Sequence, residues 1–285
     1  MIDFDQLWNF SQPKETEEKF RSLVPDVKAA GNPDRLLELY TQIARTQGLQ
    51  RLFAEAHATL DTVQAQITDE TEIAEVRLAL ERGRVFNSSG EKEKAMPLFL
   101  RAFDLATQCE NDALAVDAAH MVAIADKDPS LQHEWNLKAL AIAEASRDPK
   151  AQKWLGSLYN NIGWTFHAQG RFNEALDMFQ KALVFREKQR DPVGTRVATW
   201  CVARTHRSLG NIDQAWQMQK SLEKEFETLP EKDGYVFEEL GELALLKSER
   251  ETARAHFARA YEILSQDKWF AANESARLER MKKES

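Results

Sequence analysis

Small, apolar and polar residues recur along this chain at spacings that predict pairs of amphipathic helices. In the clearest unit, six positions are occupied in order by Gly163, Phe166, Gly170, Ala175, Phe179 and Ala182. The same residue types stand 80 positions earlier, at Gly83, Phe86, Gly90, Ala95, Phe99 and Ala102. Six equal offsets predict a repeat of about 40 residues, because a fixed period is the signature of stacked structural units.

Degenerate copies extend this register in both directions, as at Ala123 and Ala139 upstream and at Gly241 and Phe257 downstream. The array is predicted over residues 32–268, with six approximate repeats at 37–75, 76–115, 116–155, 156–195, 196–233 and 234–268. Small residues in such a pattern let helix backbones approach, and the aromatic residues fill the adjoining space. The pattern therefore describes packing between helices.

Glycine and Asp-Pro residues mark the predicted ends and beginnings of these helices. Gly90, Gly170 and Gly210 each follow an amphipathic stretch, where a left-handed residue commonly ends a helix. Asp148 and Asp191 each precede a proline, which is typical of an N-cap followed by the first helical residue.

Atypical helices are expected at both ends of the array, because terminal repeats must cover an apolar face. Residues 1–31 are predicted to be an N-terminal segment with a capping helix, and residues 269–285 a C-terminal capping helix. The first ten residues contain Phe4, Leu7, Trp8 and Phe10, a high apolar density. This segment is interpreted either as extra capping or as a self-docking or dimerising element, and a homodimer through it or through the terminal repeats stays open.

Charge and composition restrict the classes of partner and the location that are expected. The formal net charge is −8 and the sequence contains no basic tract, which disfavours nucleic acid and anionic membranes as partners. Acidic residues stand where a signal peptide would need basic ones, and no stretch is long and apolar enough to span a membrane, so a cytoplasmic location is expected. Cys109 and Cys201 have neither disulfide-framework nor zinc-ligand spacing.

The unit beginning at Tyr159 closely resembles the tetratricopeptide repeat. The lengthened repeats and the run Asn160-Asn161-Ile162-Gly163 are similar to those of kinesin light chains and of cortical scaffold proteins that orient spindles. The resemblance implies an all-α fold, a right-handed α-solenoid of about six helix pairs with capping helices. It also implies that the protein binds another protein or a peptide.

In that family, positions 5, 9 and 12 of each first helix point into a concave groove. Carried onto this sequence, the resemblance implies a peptide-binding set of Arg84, Asn87, His120, Lys127, Asn160, Trp164, His167, Trp200, Arg204 and Arg207. Basic and aromatic residues together suit an extended acidic or carboxylate-bearing peptide. The alternatives are that the two tryptophans pack between repeats and that the arginines pair with acids on adjacent helices.

Two functions therefore stay open: an interaction scaffold or adaptor, and a sensor of a peptide or small ligand that acts on a separately encoded output protein. Catalysis is not expected, although His120 and His167 could act as an acid and a base, and Cys201 could lie near His167. The sequence has no HExxH motif and no glycine-rich phosphate loop. No cofactor and no metal are expected.

Overall fold

The computed structural model describes residues 2–285, and every regular element in that range is a helix. Residue 1 of the predicted N-terminal segment lies outside this range. The chain divides into two compact units, the first ending at Leu158 and the second beginning at Tyr159.

The first unit begins with a short 3-10 helix at Phe4–Leu7. Its helices are α1 (Pro13–Ala29), α2 (Pro33–Leu49), α3 (Phe53–Gln64), α4 (Glu72–Ser89), α5 (Lys92–Gln108), α6 (Asp112–Ala125), α7 (Pro129–Ala145) and the short α8 (Pro149–Gln152). Three helix pairs, α2 with α3, α4 with α5 and α6 with α7, follow one another in this unit.

Helix α9 (Leu155–Ala168) contains the boundary between the units, and most of it belongs to the second. The helices that follow are α10 (Phe172–Lys188), α11 (Pro192–Ser208), α12 (Ile212–Glu227), α13 (Gly234–Leu246), α14 (Arg250–Leu264), α15 (Lys268–Asn273) and α16 (Ser275–Glu284). Three further pairs result, α9 with α10, α11 with α12 and α13 with α14, and the predicted all-α fold of six helix pairs is confirmed.

In three of these pairs, a glycine of the first helix packs directly against a phenylalanine of the second. An ideal Cβ built on Gly163 would lie 2.6 Å from the Phe179 ring, and one on Gly83 would lie 2.5 Å from the Phe99 ring. The third pair repeats the contact, with 2.8 Å from Gly241 to the Phe257 ring. Each glycine therefore allows an approach that a side chain would prevent.

The predicted helix ends are present. Gly90, Gly170 and Gly210 all have positive φ, at 92°, 74° and 81°, and the Oδ1 atoms of Asp148 and Asp191 accept backbone hydrogen bonds at the starts of α8 and α11. Each aspartate thus satisfies an otherwise unpaired N–H of a first turn.

The C-terminal capping segment differs from the prediction, because it consists of two helices. Glu274 ends α15 and precedes α16 with a backbone conformation outside the helical region. The break lets Phe270 of α15 and both Leu278 and Met281 of α16 lie buried in the same apolar cluster as Phe257.

None of the helices formed by residues 2–285 combines the length and the apolar character needed to cross a bilayer.

Candidate functional site

The first helices of successive pairs pack on one another and so share a surface. In the first unit α2 packs on α4, α4 on α6 and α6 on α8; these helices form what we call surface 1. In the second unit α9, α11 and α13 form surface 2, where Trp164 of α9 lies beside Trp200 of α11 and α11 packs on α13. Six of the ten predicted site residues lie on surface 2: Asn160, Trp164, His167, Trp200, Arg204 and Arg207.

Two half-buried tryptophans form the apolar part of surface 2. The ring centroids of Trp164 and Trp200 are 6.0 Å apart, and Trp164 also lies 5.1 Å from the Phe179 ring in a T-shaped contact. Trp200 donates a hydrogen bond from Nε1 to the carbonyl oxygen of Tyr235, at 3.2 Å. Both tryptophans therefore pack between neighbouring helices while keeping part of their surface accessible.

The cationic part of surface 2 consists of Arg204 and Arg207, which share one carboxylate. Arg207 forms a bidentate pair with Glu239 of α13, and Arg204 Nε lies 3.4 Å from Glu239 Oε2. Burial lowers the pKa of Arg204, Glu239 raises it, and the neighbouring Arg207 lowers it again, with a net downward shift. Glu238 and Glu242 of α13 also act to raise the Arg204 pKa, but each already pairs with an arginine of α16, Arg277 or Arg280. Glu239 is therefore the one carboxylate of this group that Arg204 and Arg207 share directly.

His167 lies at the edge of the same cluster, with its Nε2 3.0 Å from Ser208 Oγ. Its pKa is lowered by burial and by the nearby charges of Arg204 and Arg207. The imidazole is therefore neutral near neutral pH and adds hydrogen-bonding capacity without further charge.

Asn160 contacts Cys201, whose Sγ donates to Asn160 Oδ1 at 3.5 Å. Burial raises the pKa of Cys201 to about 12, so the thiol stays protonated at physiological pH. A protonated, buried thiol is a poor nucleophile.

On surface 1, Arg84 is held in a network of buried carboxylates. It pairs with Asp117 of α6, and its Nη1 lies 2.6 Å from Glu81 Oε1. Arg45 of α2 approaches the same Glu81 carboxylate at 3.7 Å. Burial alone would lower the pKa of Arg84, but Asp117 and Glu81 outweigh it and raise it. The Arg84 guanidinium is thus already paired with two carboxylates of its own chain.

Burial also alters the pKa of two neighbours of Arg84. It would raise the pKa of Asp117, but Arg84 and Arg45 overcome this and lower it. His120 lies 5.2 Å from the Trp154 ring, and burial lowers the His120 pKa. Asn87 is half-buried near the end of α4.

Lys127 does not lie on either surface as predicted, because α6 ends at Ala125 and Lys127 falls in the connection to α7. Its side chain is 75% exposed, and Nζ lies 2.8 Å from Glu93 Oε1 at the start of α5. The family spacing puts Lys127 on the inward face only if α6 continues for one more turn beyond Ala125.

Sequence reasoning missed the acids that neutralise these arginines. Glu81, Asp117 and Glu239 occupy positions 2 and 6 of their first helices, next to the positions assumed to point inward. The signal that could have found them is a carboxylate 32 or 33 residues after an arginine, as with Arg207 and Glu239 or Arg84 and Asp117.

Residues 134–188 match the family model of the tetratricopeptide repeat, and no curated protein sequence matches the chain significantly. The structure is similar to the apo form of RapI, with a TM-score of 0.67 and 17% identity over 88% of this chain and 71% of RapI. It is similar to NprR in complex with its cognate peptide NprX, with a TM-score of 0.51 and 15% identity over 87% of this chain and 70% of that one.

A third similar structure contains the nearly identical repeats of a putative kinesin light chain from Podosopora anserina. Its TM-score is 0.50, with 16% identity over 68% of this chain and 95% of that chain. The resemblance inferred from the spacing of glycine, alanine and aromatic residues is therefore confirmed: residues 134–188 match the tetratricopeptide repeat model, and the fold is similar to that of solved proteins with such repeats.

Proposed function

We propose that this protein binds an extended peptide segment of another protein along surface 2 and serves as an interaction scaffold. The fold supports the general class, since tetratricopeptide-type helix pairs are a protein-binding architecture. Fold alone does not specify a ligand, so the chemistry must come from the side chains of the surface.

The proposal rests on one observation: two arginines share the single carboxylate of Glu239. Arg204 and Arg207 converge on this single carboxylate; burial lowers the Arg204 pKa, and the charge of Arg207 lowers it further. A carboxylate from a ligand would complete the pairing and relieve the repulsion between the guanidinium groups. The preferred peptide is therefore acidic or ends in a carboxylate close to Arg204.

The tryptophans supply the apolar contribution to the same interaction. Trp164 and Trp200 are already fixed by their ring contacts and by the Nε1 hydrogen bond of Trp200. Aromatic residues that are ordered before binding lose little conformational entropy when a ligand covers them. Surface 2 thus combines an apolar platform with Arg204, one helical turn from Trp200, a cation that shares its carboxylate partner with Arg207.

We propose no catalytic step for this surface. Cys201, the one thiol near His167 in the sequence reasoning, is buried and protonated, and the Nε2 atom of His167 is engaged with Ser208. The Cys201 thiol is therefore not an activated nucleophile.

The second candidate is a peptide-responsive sensor that acts on a separately encoded output protein. The likeness to NprR, determined with its cognate peptide, and to RapI favours this alternative over other uses of the fold. A sensor must change when its peptide binds, since a ligand shifts an equilibrium only through differential affinity. Peptide-dependent hydrogen exchange in helices away from surface 2 would favour the sensor, and protection limited to α9, α11 and α13 would favour the scaffold.

Arg204→Ala is expected to weaken peptide binding by roughly 1–3 kcal/mol, because it removes the under-compensated cation from the centre of the surface. The measurement uses an array of nine-residue peptides that each contain one Trp or Phe and two Asp or Glu residues. A matched array replaces each acid with Lys. Wild-type protein should retain members of the acidic array, and Arg204→Ala should release them.

Arg254→Ala is the matched control, because Arg254 is exposed on α14 and its ion pair within residues 2–285 is with the exposed Glu251. This variant should retain the same peptides as the wild type. Equal retention of the acidic and lysine arrays by the wild type, or retention that Arg204→Ala leaves unchanged, would rule out the proposed site.

A further inference from the structure

Surface 1 is already covered by a peptide-like segment of the same chain. Residues 2–10, which we call segment 2–10, have the sequence Ile-Asp-Phe-Asp-Gln-Leu-Trp-Asn-Phe and contain only a single short 3-10 helix. Their side chains contact helices α1, α2, α4 and α8, which together span most of the first unit.

One aromatic side chain anchors the start of this segment. Phe4 is buried, and its ring makes a T-shaped contact with Phe20 of α1 at 6.2 Å. The guanidinium carbon of Arg35 lies 3.7 Å from the centroid of the Phe4 ring, and Arg35 also donates to the carbonyl oxygen of Ile2. One arginine of α2 therefore binds both the backbone and the aromatic face of the segment.

A second aromatic anchor lies about two turns along α2. Trp8 donates from Nε1 to Gln42 Oε1 at 3.0 Å and stacks on Phe10, with ring centroids 4.8 Å apart. The guanidinium carbon of Arg45 lies 5.2 Å from the Trp8 ring and 5.3 Å from the Phe10 ring. These are the distances at which a cation is attracted to an aromatic face.

The acids of the segment reach the far side of surface 1. Lys150 of α8 lies 2.9 Å from Asp3 Oδ1 and 3.0 Å from Asp5 Oδ2, and Arg77 of α4 lies 3.5 Å from Asp5. The hydrogen bond from Lys150 lowers the pKa of Asp3. Acidic and aromatic side chains together thus match a set of cations contributed by three helices.

Segment 2–10 occupies the place that a complete helix has in the other pairs. In α1, Phe20 is the eighth residue, the same place that Phe179 has in α10 and Phe257 in α14, so α1 has the register of a second helix. Its expected first-helix partner is replaced by a 3-10 turn of four residues, Phe4–Leu7. A short segment is easier to displace than a helix, because fewer contacts hold it.

The edge of the contact is open to solvent. The Lys150 side chain is 52% exposed, and Phe10 is 57% exposed. Exposed ion pairs contribute little to stability, so the acidic half of the segment is weakly held even though Phe4 is buried.

We propose that segment 2–10 is an internal competitor, and that surface 1 binds an acidic peptide with aromatic side chains from another protein once this segment is displaced. This inference deepens the proposed function by naming the peptide chemistry, and it depends on different residues from those of surface 2. Binding at surface 1 is therefore regulated by the release of the chain's own acidic, aromatic residues.

The test uses the full-length chain and a fluorescein-labelled peptide with the sequence of residues 2–10. Binding is measured by fluorescence anisotropy to the wild type and to the double variant Asp3→Lys/Asp5→Lys, in which repulsion from Arg77 and Lys150 lifts the acidic half of the internal segment. The double variant is expected to bind the labelled peptide at least about tenfold more tightly than the wild type, because it removes three ion pairs of the competitor and adds repulsion from Arg77 and Lys150.

Lys150→Glu added to the double variant should restore the internal contact with reversed charge and remove a cation that would pair with the labelled peptide, so labelled-peptide binding should fall well below that of the double variant. Arg204→Ala added to the double variant should leave it unchanged, because Arg204 belongs to surface 2. If the double variant loses helical circular dichroism, the milder Asp5→Asn variant should show the same direction with a smaller change.

Three outcomes would overturn the inference. The first is equal affinity of the labelled peptide for the wild type and for a folded variant. The second is loss of labelled-peptide binding through Arg204→Ala, which would place the peptide on surface 2 and support the proposed function alone. The third is a dimeric mass for the wild type, by light scattering, that becomes monomeric in the double variant, because segment 2–10 would then be exchanged between two copies.

Discussion

Replacing Phe179 with alanine is expected to lower the free energy of unfolding by about 3–5 kcal/mol. The Phe179 ring is fully buried, lies against Gly163 of the preceding helix and contacts Trp164 at 5.1 Å between ring centroids. Truncation would remove the apolar contact and leave a cavity between α9 and α10 that rigid helices cannot close. Urea unfolding followed by circular dichroism measures the loss.

The same contact can be tested from the glycine side. Gly163→Ala would place a methyl group 2.6 Å from the Phe179 ring, and we expect it to lower the unfolding free energy by about 1–3 kcal/mol through overpacking. Gly163→Ala should lower the unfolding free energy less when it is combined with Phe179→Leu, since the effects of substitutions at contacting residues are not additive. Val184→Ala, at an exposed position of α10, is the control and should change stability by less than about 0.5 kcal/mol. A small effect of Phe179→Ala would contradict the packing described for the pair.

Asp117→Asn is expected to destabilise the first unit by about 3 kcal/mol. Removing one partner of a buried ion pair leaves an uncompensated charge and typically costs about 3–5 kcal/mol. The lower end applies because Arg84 keeps Glu81 as a second partner, at 2.6 Å. Thermal or urea unfolding of the variant measures the effect.

The difference in unfolding free energy between the wild type and Asp117→Asn should depend on pH in one direction. Because Arg84 and Arg45 lower the Asp117 pKa in the folded chain, ionised Asp117 stabilises the fold above its unfolded pKa of about 3.9. That contribution is lost as the pH falls through the lowered folded pKa. The difference between wild type and Asp117→Asn should therefore be largest near neutral pH and should shrink below about pH 4.

Asp177→Asn is the control for this prediction. Asp177 pairs with Lys181 within α10, but both side chains are about half exposed, at 56% and 47%. Exposed pairs contribute about 0–1 kcal/mol. If Asp177→Asn and Asp117→Asn have equal effects, the carboxylate network around Arg84 is not the stabilising feature inferred from its burial.

The repeat register was predictable because packing requires specific residue sizes at specific places. The glycine of each first helix and the phenylalanine of the second, as with Gly163 and Phe179, are 16 residues apart in all three pairs in which they touch. A single sequence reveals that constraint, since only glycine allows the approach. The left-handed helix ends at Gly90, Gly170 and Gly210 follow from the same steric reasoning.

The electrostatics of the surfaces could not be predicted in the same way. Whether Arg84 is available to a ligand depends on carboxylates such as Asp117 that lie on another helix, and helical periodicity within one repeat does not determine that pairing. The position of Lys127 depended on whether α6 continued beyond Ala125. Asp3 and Lys150 are brought together only by the stacking of the whole first unit.

The most direct test of the account is the salt dependence of acidic-peptide binding to the wild type and to Arg204→Ala. A peptide retained from the acidic array is titrated by calorimetry at low and at physiological ionic strength. Because the proposed contact is a partly exposed cation beside a ligand carboxylate, wild-type affinity should fall as salt rises, and Arg204→Ala should bind weakly with little salt dependence. An unchanged affinity in the variant, with the same response to salt as the wild type, would contradict the assignment of surface 2 as the peptide-binding site.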